Sequence, residues 1–105
     1  MNTILKTDYM LFSNANTLLG KVCITQIDGE SCHGEFFPTT DFAAVENLFA
    51  ALIEYANDQI FPLVDEVEKQ IGALGLFLQR TLTSTEKIPI FHAQIGQNSI
   101  SFRLA

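Results

Sequence analysis

Apolar and polar positions along this chain follow two different periods, and the switch between them divides it into three parts. Residues 8–13 form a short apolar run rich in strand formers, closed by Asn14-Ala15-Asn16. Residues 17–27 alternate, and Asp28-Gly29 follows. That dipeptide is a hairpin signal, because glycine accepts the left-handed backbone that tight hairpin turns require. Residues 30–37 read as the return strand, stopped by Pro38. From Asp41 to Tyr55 the spacing changes to threes and fours. Phe42, Val45, Leu48, Phe49, Leu52 and Ile53 recur on one helical face. Thr40 is placed as N-cap, and Asp41 and Glu46 suit the positive end of the helix dipole. A shorter helix is predicted from about Pro62, with Val64, Val67, Ile71 and Leu74 as its stripe and Gly72 or Gly75 as its stop. Strand character then returns over residues 74–82, followed by a loop at 83–86. Residues 88–95 and 99–104 form a final hairpin around Gly96-Gln97-Asn98.

Consecutive strands with short connections favour antiparallel pairing. The expected fold is α+β, in the order β-β-β-α-α-β-β-β. It has one mostly antiparallel sheet of about six strands, with one long and one short helix packed on one face. No linker, repeat or low-complexity tract interrupts the 105 residues, so one α+β domain over 1–105 is expected.

Polarity then sets the register, because a slip of one residue moves every side chain to the other face. A three-residue loop, Ile27-Asp28-Gly29, would pair Ile24 with Cys32, Val22 with Gly34 and Gly20 with Phe36 on an apolar face. Thr25 and Ser31, Cys23 and His33, Lys21 and Glu35, and Leu19 and Phe37 would pair on the outer face. In the last hairpin, Ile95–Ile100, Ala93–Phe102 and Phe91–Leu104 would face inward. Gln94–Ser101 and His92–Arg103 would face outward, as would Ile90.

Nine Phe and a hydrophobic share of 48% indicate a real core. Six basic and twelve acidic residues give a formal net charge of −6. No window holds the basic stripe that phosphate binding needs, so neither nucleic acid nor an anionic membrane is expected as a partner. The apolar stretch near the N-terminus is cut by Lys6 and Asp8 and lacks the shape of a signal peptide. With no apolar run of about 20 residues and only two cysteines, a cytoplasmic location is the expectation.

The chemistry on offer is thin. Cys23, His33, Glu35 and His92 share the outer face in this register, which suggests a zinc or copper site or a Cys23–His33 nucleophile pair. Neither has a motif behind it: there is no CxxC or HxxxH spacing, and a mid-strand cysteine has no oxyanion donor. Solvated strand residues explain both more simply. Asp65, Glu66 and Glu68 suit a helix start, and the glycines match no phosphate-binding fingerprint. No catalytic, cofactor or metal residue is therefore assigned, and no cofactor is expected.

What is left is a candidate surface: Leu19, Cys23, His33, Glu35, Phe37, Ile90, His92 and Arg103. Leu19, Phe37 and Ile90 would put apolar area on a face that should be polar, and residues 99–104 would form an uncovered edge. The expected function is that of a small non-enzymatic interaction protein. It would act through its sheet on another protein or, first of all, as a homodimer. The alternative is a small apolar-ligand binder with a pocket between helix and sheet. An enzyme using Cys23 and His33 stands third.

Overall fold

Seven strands, all paired antiparallel, form one sheet in the computed structural model, which describes residues 8–81 and 85–104. Readings that fall on residues 1–7, on Leu82 and on 83–84 lie outside the described residues. The strands are β1 (Asp8–Phe12), β2 (Leu18–Asp28), β3 (Ser31–Pro38), β4 (Phe77–Gln79), β5 (Ile88–Pro89), β6 (Phe91–Gly96) and β7 (Ser99–Arg103). Between β3 and β4 run a 3-10 turn (Thr40–Ala44), α1 (Glu46–Asn57) and α2 (Phe61–Gly72). The α+β class and the antiparallel sheet agree with the sequence pattern, but the expected flat sheet of about six strands does not.

The strand order is β5-β4-β1-β2-β3-β7-β6. Its two edge strands, β5 and β6, follow each other in the chain with Ile90 alone between them. In a flat sheet six inter-strand gaps would hold the edges roughly 29 Å apart. Two residues of extended chain reach only about 7 Å. The sheet therefore curls into a half-barrel, and the segment 88–96 runs from one edge to the other. The Ile90 amide donates to the Leu76 carbonyl at 3.2 Å, fixing that joint.

One hydrophobic cluster fills the half-barrel. Tyr9, Val22 and Phe36 lie side by side on β1, β2 and β3, and Cys32, Leu78, Ile95 and Phe102 join them. Phe42, Phe49 and Leu52 enter from the helical side, with the Phe42 ring edge-on to Phe36 at 5.0 Å. Of the expected helix face, Phe42, Phe49 and Leu52 are in the core, Val45 and Leu48 are only partly covered, and Ile53 is exposed.

Several expectations need correction. The two helices each run 12 residues, so they are not one long and one short. The predicted 41–55 helix begins as a 3-10 turn and is broken at Val45. Thr39 rather than Thr40 flanks that turn, and its hydroxyl donates to the Leu18 carbonyl at 2.7 Å instead of capping. The predicted 74–82 strand contracts to three residues. In the first hairpin Asp28 opposes Ser31, so the turn holds two residues, Gly29 and Glu30, and not the expected three. The missing residue reappears as a bulge at Thr25, which shifts Ile24 opposite Gly34 and Cys23 opposite Glu35. The inward set survives because the shift is two residues, one full period of a strand. Finally, β7 is interior, held between β3 and β6, and not an edge.

Gly34 permits the bulge. A Cβ there would fall on the Cys23 carbonyl oxygen, with Ile24 Cα at 2.9 Å. Gly75 has φ +59 and lies against Asn14, whose amide donates to the Leu74 carbonyl at 2.8 Å. That contact fastens the chain just beyond α2 to the β1–β2 turn.

Candidate functional site

Two of the proposed outer-face residues are in the core. Leu19 is 2% exposed and Ile90 6%. The cause for Leu19 is a shift in the β1–β2 pairing: Leu11 opposes Gly20 but Phe12 opposes Leu18, so Leu19 is the extra residue and turns inward. Ile90 is the joint between the edge strands. Phe37 does remain outside, 50% exposed, and opposes Lys21 rather than Leu19.

The titratable residues of that surface do not converge. Cys23 lies between Asp8 and Glu35, while His33 lies between Gln26 and Ser101. Cys23 and His33 are therefore not the cross-strand pair that the three-residue loop implied. Arg103 opposes Phe91, not His92, and reaches Glu30 at 3.6 Å. Among the described residues, no group of three or more His, Cys, Asp or Glu side chains is placed to share a metal ion. Partial desolvation, a hydrogen bond to the Asp8 carboxylate and the negative charge of Asp8 and Glu35 push the Cys23 thiol up, against the opposing pull of Lys21. Burial alone pushes up Cys32. Neither thiol is activated as a nucleophile needs.

The feature with the geometry of a site is elsewhere. α2 packs on α1 and β6, and between α2, the end of β4 and the β5–β6 joint lies an open groove of about 830 Å³. Ligand sites are concavities of roughly 300–1,000 Å³ with apolar walls and a few polar groups. Here Ile71, Leu76, Ile90 and Ala93, all buried, form the floor. Phe77 and Phe91 wall it, and Asp65, Glu68, Lys69, Lys87 and His92 supply the polar groups. Lys87 Nζ stands 4.8 Å from the centre of the Phe77 ring, which in turn stacks on Phe12 at 5.6 Å.

His92 is the unusual wall residue. Its φ of +54 is a left-handed conformation that few non-glycine residues adopt. It sits where the β6–β7 register shifts between Phe91 and Gln94. Bulges of this kind re-aim a side chain, and here the imidazole Nδ1 lies 3.9 Å from Glu68 on α2 across the groove. His92 and Ile90 are thus the two candidate residues that belong to the groove, one on its rim and one in its floor. A shallower hollow of about 330 Å³ is lined by Thr25, His33, Gln94, Ser99 and Ser101, with Ile53 beside them.

The sequence offered a pocket between helix and sheet as its alternative reading but named, of the lining, only Ile90 and His92, because the walls are far apart in the chain and each reads locally as helix surface or strand. The available signal was Pro89, since proline within a strand run marks an edge. No protein-family model, no curated protein and no solved structure matches this chain.

Proposed function

We propose that this protein is a small non-enzymatic binding protein that holds an apolar small molecule in the groove between α2 and the β5–β6 joint. The observation that carries this reading is the combination of size and lining. The space matches a ligand site, its floor is made of buried aliphatic side chains, and Phe91 on its wall stays 47% exposed. The test uses Gly72, which borders the groove and where an added Cβ meets no heavy atom within 4 Å. Gly72→Trp places a large ring at the mouth without displacing the core. Wild-type protein should enhance Nile red fluorescence and the variant should not, with both unfolding at similar temperatures. Equal dye uptake by the two sinks the reading.

A second reading, association with another protein or with a second copy of the chain, is favoured by a different observation. Ile60, Phe61 and Leu63 are all exposed around the first turn of α2, Phe61 by 61%. Contiguous apolar surface of this kind often marks a partner site. On the sheet, by contrast, Leu19 and Ile90 are withdrawn and Phe37 remains. Sedimentation equilibrium of wild type and Phe61→Asp separates the two copies-of-self outcomes: a dimer lost on substitution supports self-association, and a wild-type monomer removes it.

A further inference from the structure

We infer that the groove's ligand is an anionic amphiphile, an apolar body carrying one carboxylate, held at its charged end by Lys69 and Lys87. This rests on the groove being a ligand site and adds the chemical class of what it takes. Lys69 is on the last turn of α2 and Lys87 precedes β5, so the two ammonium groups approach the groove from different walls. The chain has twelve carboxylates against six Lys and Arg. Yet among the described residues the close approaches of basic to acidic side chains are His92–Glu68 and Arg103–Glu30, and neither lysine takes part in them. Lys87 instead lies over the Phe77 ring, whose face attracts a cation and keeps it beside the apolar wall of the groove. In a chain of net charge −6, two cations on one apolar groove that have no carboxylate partner among the described residues are complementary to an anion.

The two carboxylates at the groove bound the charge of that anion. Glu68 faces His92 at 3.9 Å, and Asp65 is one helical turn before Lys69. A multiply charged phosphate would be repelled by both. A single carboxylate meets less of that repulsion, and its apolar body would cover Ile71, Leu76, Ile90 and Ala93.

Titration of the full chain with octanoate, octanol and octylamine at matched low salt tests this. Octanoate should bind at least about tenfold more tightly than octanol, a difference of the size expected for one charge-assisted contact. Octylamine should bind most weakly. The advantage of octanoate over octanol should shrink at high salt, where exposed charges are screened. The ratio of octanoate to octanol affinity should fall to about one in Lys69→Gln/Lys87→Gln, and both lysines are exposed, so the variant keeps the fold. Equal binding of octanoate and octanol, or an octanoate advantage that survives in the variant, overturns the carboxylate inference and leaves an apolar groove. Binding of none of the three overturns the ligand-site reading as well.

Discussion

The Ile90 amide donates to the Leu76 carbonyl at 3.2 Å, so the residue linking the two edge strands is tied to the segment that leads into β4. An ordinary edge amide faces water and exchanges its hydrogen quickly. This one should exchange only when the half-barrel opens, on the timescale of the β2 amides at Val22 and Ile24. Amide exchange followed by NMR checks it, and rapid loss of the Ile90 signal would show that β5 frays from β4 in solution.

Gly34→Ala should destabilise the fold by about 1–3 kcal/mol, the range for overpacking a tight site. The new methyl meets the Cys23 carbonyl and Ile24 Cα, which are backbone and cannot rotate away. Gly72→Ala is the control, since its Cβ meets nothing and alanine is the better helix former by about 1 kcal/mol. Urea denaturation of both should give shifts of opposite sign.

Tyr9 is 1% exposed, and its hydroxyl has no hydrogen-bond partner among the described residues. A buried polar group without a partner carries a desolvation penalty of about 1–3 kcal/mol. Tyr9→Phe should therefore raise the urea midpoint, against the usual trend for core substitutions. A loss of stability would mean that the hydroxyl is paired.

Cys23 should alkylate slowly at neutral pH. Its proton is retained to a higher pH than in an ordinary thiol, so less thiolate is present at pH 7. Asp8→Asn and Glu35→Gln should each move the pH–rate profile of iodoacetamide labelling down. With Cys32 on the inward face, unreduced protein should contain no Cys23–Cys32 bridge. Labelling of Cys23 faster than free cysteine at pH 7 contradicts this picture.

Local chemistry in the sequence marks the turns and most of the core. Asp28-Gly29 and Gly96-Gln97-Asn98 both fall at hairpins, Ile95 does oppose Ile100, and Val22, Ile24, Cys32 and Phe36 do face inward. Errors gather where a strand carries an extra residue. The bulge at Thr25 moved the register, the one at Leu19 turned an outer residue inward, and the one at His92 brought Phe91 opposite Arg103. Each depends on how two strands fit together, which no single strand's alternation records. The β1–β4 pairing, Leu11 with Leu78, joins segments on either side of both helices, and nothing local announces it. The groove's lining likewise joins α2, the start of β4 and the β5–β6 joint, so a pocket between helix and sheet could be expected but most of its residues could not be named.

The strand order also constrains how the chain can be made. The first three strands emerge from synthesis as the centre of the sheet, with β1 and β3 unpaired on their outer sides. Their partners are β4 and β7, and β7 is the last strand of the described chain. Until β4 has appeared this three-stranded meander has two open edges, and its β3 edge stays open until residue 99 and beyond, the condition in which nascent sheets pair with each other. A fragment ending at α2, which lacks both β4 and β7, should therefore associate rather than fold, and the finished protein should complete its sheet only when β7 covers the β3 side.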